Sequence, residues 1–180
     1  MKVGLIVLLL AYSFTQSTLK IDFGKDKTGQ SWQVINDGVM GGLSKGEVRM
    51  KDNSVLFEGN VSLKNYGGFT AFKSPFQTID LSDYEYISIR LKTKGQRLAF
   101  TLETEEDFYK PYYKKAIPSI SEDWETIKLE LSTFKELQLG QQTGKTLSKE
   151  ELKKIVRIGL ITNEKKEGAF EVEVDYILFE

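Results

Sequence analysis

Phe170-Glu171-Val172-Glu173-Val174-Asp175-Tyr176 alternates apolar and acidic residues without a break. At a period of two, Phe170, Val172, Val174 and Tyr176 share one face of a strand, and Glu171, Glu173 and Asp175 share the other. Burying each apolar side chain is worth roughly 1.5 to 3 kcal/mol, and a one-residue slip would bury three carboxylates instead, so the register is strongly specified. The same period runs through residues 86–92, where Ile87, Ile89 and Leu91 align, and returns in Leu98, Phe100 and Leu102. Further strands are expected over residues 19–23, 47–50, 55–58, 69–73, 108–116, 126–131 and 156–162. About ten short strands separated by turn residues predict an all-β fold, a sandwich of two antiparallel sheets. One short helix is expected near residues 148–155. Ser148-Lys149-Glu150-Glu151 forms a capping box, and Leu152 and Ile155 give the following turn an apolar side.

The counts exclude much chemistry. The chain has 180 residues, 25 Lys+Arg against 26 Asp+Glu, a net charge of -1, no His and no Cys. Without His there is no Ser-His-Asp catalysis and little prospect of a zinc site; without Cys there is no thiol nucleophile, disulfide or iron-sulfur ligation. The balanced charge argues against a nucleic-acid partner, whose binders carry a basic face. Lys2, the apolar run of residues 3–11 and the small polar stretch ending at Ser17 have the form of a secretory signal peptide. Nine apolar residues are too few to span a bilayer, which needs about 20. Residues 1–17 are therefore expected to direct export to a periplasm or the cell exterior. Residues 18–180 are expected to form one domain, monomeric and not inserted in a membrane.

Several motifs approach catalytic patterns and fall short. Ser132-Thr133-Phe134-Lys135 is an S-x-x-K, but Lys27-Thr28-Gly29 precedes it and no S-x-N triplet exists. Gly140 to Thr146 imitates a phosphate loop with one residue too few between its glycines. Asn60-Val61-Ser62 is a glycosylation sequon. The acidic run Glu103, Glu105, Glu106, Asp107 reads as a solvated turn, although paired carboxylates are what glycoside hydrolysis requires.

The densest local chemistry lies in Trp32-Gln33-Val34-Ile35-Asn36-Asp37-Gly38-Val39-Met40-Gly41-Gly42-Leu43-Ser44. Asn36-Asp37-Gly38 is strong turn chemistry, and Gly41-Gly42 allows a second bend or a close backbone approach. Trp32 and Met40 are expected to anchor this loop to the core. A second cluster, Phe57 to Leu63 with Gly59, and then Asn65-Tyr66-Gly67-Gly68-Phe69, repeats the double glycine beside an aromatic. Both clusters read mainly as structural corners.

The order W-x3-N-D-G-V-M-G-G-x-S, F-x-G-x-V-S-L, N-x-G-G-F and G-x-F-x-V-x-V-D-Y-I resembles the complex I intermediate-associated protein 30 family, over nearly the whole chain after residue 17. The resemblance implies a galactose-binding-like jelly-roll β-sandwich. It also implies a non-enzymatic, assembly-factor or chaperone-like role, since mitochondrial members assist assembly of respiratory NADH:ubiquinone oxidoreductase. Where the family carries P-F-x-x-F and then Arg-Gly, this chain has Glu130-Leu131-Ser132-Thr133-Phe134 and Leu139-Gly140. The fold is similar to carbohydrate-binding modules as well, which makes a glycan the alternative ligand to a protein partner. Tyr109, Lys110, Tyr112 and Tyr113 are the candidate glycan contacts, through ring stacking and hydroxyl hydrogen bonds. In a continuous strand Tyr109 and Tyr113 would share a face opposite Tyr112. No cofactor is expected; Asp22 and Asp175, on first and last strands, are the candidates for a structural calcium.

Overall fold

The structure is a computed structural model that describes residues 18–118 and 121–180. The export segment expected over residues 1–17 lies outside them. Among these residues thirteen strands form two antiparallel sheets. β1 (Leu19–Asp22), β3 (Lys45–Met50), β4 (Val55–Val61), β6 (Tyr86–Lys94), β9 (Glu125–Glu130) and β13 (Gly168–Phe179) make the first sheet, in the order β3-β4-β13-β6-β9. β1 takes the part of the β13 edge that β4 leaves open, pairing Leu19 with Phe179 and Asp22 with Tyr176. The second sheet runs β11-β10-β8-β7-β12-β5-β2. Its strands are β2 (Gln33–Asn36), β5 (Thr70–Lys73), β7 (Leu98–Glu103), β8 (Tyr112–Ala116), β10 (Lys135–Gln138), β11 (Gln141–Thr146) and β12 (Arg157–Thr162).

The acidic-apolar alternation of residues 170–176 extends into a twelve-residue strand at the centre of the first sheet. Phe170, Val172 and Val174 turn inward and are buried. A register shift between Val174 and Tyr176 puts Asp175 at an irregularity, where its carbonyl accepts from the Phe23 amide at 2.8 Å. Ile177 and Phe179 then continue the inward row. Facing them are Phe72, Phe100, Phe134 and Leu160 of the second layer. Trp32, Phe72, Phe57 and Phe170 run through the core ring to ring, with centroids 5.2, 5.7 and 4.9 Å apart. Ser148 caps the helix as expected, its hydroxyl accepting from the Glu151 amide and donating to the Glu151 carboxylate. The helix it starts, α1 (Lys149–Leu152), is only one turn.

Three expectations need correction. Tyr176 does not share the inward face of Phe170, Val172 and Val174, because the register shift turns it outward, where Lys20 lies over its ring at 5.0 Å. The strand expected over 108–116 begins only at Tyr112, because Phe108 to Lys110 turn, with the Lys110 amide donating to the Asp107 carbonyl, and Pro111 cannot donate to a ladder. The phase assumed for Tyr109 is therefore void. Met40 does not reach the core; it is 67% exposed. The stretch from Gly140, whose glycine spacing already ruled out a phosphate loop, lies in a hairpin, with Leu139 and Gly140 in left-handed conformation at its tip and β11 exposed along its whole length.

On the outer face of the first sheet, Glu173 accepts from Lys51 at 2.8 Å, Ser54 at 2.6 Å and Lys92 at 3.1 Å. Burial opposes its ionisation, but these three donors outweigh it and hold the carboxyl at about 2, below its ordinary 4.5. A depressed folded pKa stabilises above the unfolded value and is lost as pH falls through the folded one. Glu173 therefore contributes about 3 kcal/mol at neutral pH, and this is lost between about pH 4.5 and 2. In acid denaturation followed by circular dichroism, Glu173→Gln is expected to flatten the pH dependence in that window. An unchanged slope would contradict the assignment.

Candidate functional site

The two glycine clusters meet around one buried carboxylate. Asp37 follows β2 and opens a one-turn 3-10 segment, Asp37–Met40; it is 1% exposed. Its Oδ1 accepts the Ser44 amide at 3.0 Å. Its Oδ2 accepts the Ser44 hydroxyl at 2.6 Å, the Gly68 amide at 2.7 Å and the Phe69 amide at 3.3 Å. The Ser44 hydroxyl in turn accepts from the Ser62 amide at 3.0 Å. Desolvation pushes the Asp37 carboxyl up, yet the four donors together hold it below the ordinary range. Loops 37–44 and 62–69 are thus tied to a single anion.

The glycines make room for it. A Cβ on Gly42 would fall on the Asp37 carboxyl carbon, and one on Gly67 would lie 2.6 Å from its Oδ2. Gly41 (φ 87) and Gly68 (φ 131) hold backbone conformations that side chains disfavour. Asn36, one residue earlier, joins the two sheets. Its side-chain oxygen Oδ1 accepts from the Gly46 amide of β3 at 2.9 Å and the Thr70 hydroxyl of β5 at 2.6 Å. Gly59 lies in β4 opposite Gly46, where a Cβ would meet the Lys45 carbonyl. Trp32 is buried against Phe23 and Phe72. Gly38 is exposed. Beside Lys64 and Asn65, these loops expose four large apolar side chains: Met40, Leu43 (51% exposed), Leu63 (43% exposed) and a fully exposed Tyr66. Asn65 (φ 54) and Tyr66 (φ 61) are consecutive left-handed residues that are not glycine.

The second region is the outer face of the second sheet. Pairing across β5, β12, β7 and β8 aligns Lys73, Gly159, Thr101 and Lys114 in one row, and Arg157, Glu103 and Tyr112 in the next. The small residues Ala71, Ala99, Thr101 and Gly159 form a floor, all buried although they lie outside the hydrophobic core. Lys73 crosses Gly159 to pair with Glu103. Arg157 donates to the Ser74 carbonyl at 2.9 Å and stacks over Phe76 at 4.3 Å. Tyr112, Lys114 and Arg157 are half-buried. Burial, assisted by Lys165, lowers the Lys114 titration; burial, assisted by Glu103, raises that of Tyr112. These half-buried groups make a polar furrow over the small-residue floor, with the Tyr112 and Phe76 rings beside it.

Only part of the expected ligand set reaches it. Tyr113 points the other way, into the core, where its hydroxyl donates to buried Glu136 at 3.0 Å and its titration is pushed up. Tyr109 and Lys110 sit on the exposed turn before β8, with the Tyr109 hydroxyl donating to Asp107 at 2.8 Å. Arg157 and Lys73 were not anticipated, because only the pairing of β5, β12 and β7 brings them beside Tyr112. Asp22 and Asp175 do approach each other around Gly24. Each already holds a cation, Lys20 at 2.6 Å and Arg90 at 3.2 Å, and no group of three metal-ligating side chains occurs among the described residues. This donor set suits internal ion pairing better than calcium.

The described carboxyls whose titration clearly departs from the ordinary, Asp22, Asp37, Asp80, Glu136, Glu173 and Glu180, all move down. No helix among the described residues is long and apolar enough to cross a membrane.

Comparison with solved structures finds the same sandwich. The family 11 carbohydrate-binding module of the cellulosomal cellulase Lic26A-Cel5E of Clostridium thermocellum is 19% identical, with a TM-score of 0.61 over 83% of this chain and 86% of that one. The Clostridium thermocellum module in complex with a β-1,3-1,4-mixed-linked tetrasaccharide is also 19% identical, with a TM-score of 0.56 over 83% and 88%. An agarase, AgWH50C, is 13% identical with a TM-score of 0.58; the match covers 92% of this chain and 25% of that one. At these identities the likeness establishes the fold, a jelly-roll sandwich of the galactose-binding-like kind. No curated protein matches the chain. Residues 21–174 match the family model described as Complex I intermediate-associated protein 30, which takes in the Asp37 loops, both sheets and most of β13. The chain belongs to the complex I intermediate-associated protein 30 family.

Proposed function

We propose that this is an exported, monomeric binding domain without turnover, and that it takes a glycan in the furrow on the outer face of the second sheet. The observation that carries this reading is the half-buried cluster of Lys73, Glu103, Lys114 and Arg157 beside the Tyr112 ring. Half-buried charged groups over a small-residue floor suit a ligand rich in hydroxyls, and the ring supplies a stacking surface. The likeness to modules that carry carbohydrate-binding names supports it. The mature chain, titrated calorimetrically against soluble polysaccharides including mixed-linked β-glucan, is expected to bind at least one. Tyr112→Ala and Arg157→Ala should each weaken that binding about tenfold or more, the loss of one anchoring contact. Tyr109→Ala, on the turn outside the furrow, should change it little. Retained affinity in both furrow variants would reject the site.

Family membership across residues 21–174 favours a second reading, protein docking in the manner of an assembly factor. A cross-linking pull-down from the protein's own cell envelope separates the two. A specific protein catch without saccharide affinity supports this second reading.

A further inference from the structure

We propose that the end of the sandwich formed by loops 37–44 and 62–69 docks on the surface of an anionic phospholipid bilayer. These loops expose Met40, Leu43, Leu63 and Tyr66, four large apolar side chains, on backbone held from inside by Asp37. Exposed apolar groups that are held in place lose little freedom on burial, so most of their transfer free energy is available for binding. Tyr66 is the most telling. Two successive left-handed residues, Asn65 and Tyr66, place a bulky ring entirely in solvent, a conformation that costs free energy and gains no contact within the domain.

The surrounding charge points to the occupant. Lys45 and Lys64 flank the apolar residues, and the β12–β13 loop at the same end adds Lys165 and Lys166. None of the four has an ion-pair partner among the described residues. That loop is joined to the tip through Glu167, which accepts the Leu63 amide at 3.1 Å. The other basic groups at this end are neutralised internally, Arg97 by Glu164 at 3.6 Å and Lys94 by Glu122 at 3.4 Å. Three acids there have no ion-pair partner among the described residues: Asp123 on the β8–β9 loop, Glu167, and Asp37, which is buried beneath the loops and held by neutral donors. Separate apolar projections on two loops, set among unpaired lysines, match a fluid apolar layer beneath anionic headgroups. A tyrosine suits that boundary, with an apolar body and a polar tip. This is shallow surface docking and requires no spanning segment.

The test uses the mature chain and sucrose-loaded vesicles, sedimented at low and high salt. Vesicles of equal parts phosphatidylglycerol and phosphatidylcholine are expected to carry the protein down at low salt, whereas pure phosphatidylcholine vesicles should not. High salt should release it. Lys45→Glu with Lys64→Glu is expected to weaken partitioning by about tenfold or more. Leu63→Ser with Tyr66→Ser should do so by about tenfold through the apolar contribution. All four side chains are exposed, so unchanged thermal midpoints will show that the fold is intact. Tyr112→Ala, in the furrow, should leave vesicle binding unchanged, which keeps this proposal separable from the glycan reading. Absence of binding to phosphatidylglycerol vesicles, or binding indifferent to the Leu63 and Tyr66 changes, would overturn it. So would a protein captured through the tip by a chain without vesicle affinity.

Discussion

Asp37→Ala is expected to lower the domain's stability by about 3 kcal/mol, because the buried amides of Ser44 and Gly68 lose their acceptor where water is excluded. For a chain of this size that corresponds to a fall of roughly 6 to 12 °C in thermal midpoint by scanning calorimetry. Removing a buried charge also relieves its desolvation, but the carboxyl sits below its ordinary range, which means that its four donors more than offset that cost. Asp37→Asn should lose less, since one acceptor oxygen survives while the new NH2 faces a donor. The same reasoning sets the pH response. The contribution of Asp37 is complete above the unfolded carboxylate pKa and disappears as pH falls through its lower folded value. An Asp37→Ala midpoint within a degree of the parent would show that the loops are held by something other than this anion.

The glycines around it should divide into two kinds. Gly42→Ala and Gly67→Ala are expected to cost about 3 kcal/mol each, at the upper end for one inserted methyl, since both must displace the carboxylate or the Ser62 carbonyl beyond it. Gly41→Ala should cost only about 1 to 2 kcal/mol, the left-handed penalty, because a Cβ there meets open space. The distinguishing measurement is a double-mutant cycle. Gly42→Ala added to Asp37→Ala should cost far less than it does alone, since the group it would strike has gone. Additive losses would mean that Gly42 serves some purpose unrelated to the anion.

How much of this was legible before folding varies with the physics involved. β6 and residues 170–174 of β13 could be read because each buries one face, and period two records that directly; the register shift that turns Tyr176 outward left no mark on the pattern. The helix cap could be read because both partners lie within four residues. β10 and β11 could not: β11 is solvated along its whole length, so no apolar period marks it, and β10 is only four residues long. β7 was expected to be half-buried. It is buried on both faces, since Ala99 and Thr101 on the outside are small enough to lie beneath their neighbours. Around Asp37 the glycines and the turn were visible, but the network was not. Two of its donors, Gly68 and Phe69, lie more than thirty residues along the chain, and local spacing carries no trace of such a contact. Met40 was misjudged for a related reason: hydrophobicity alone does not separate a side chain that anchors a loop from one that the loop displays.

Because β1 lies hydrogen-bonded against the final residues of β13, Leu19 and Phe179 are neighbours at the pole opposite the tip. A host protein, a tether or a short linker joining the two would all attach on that side.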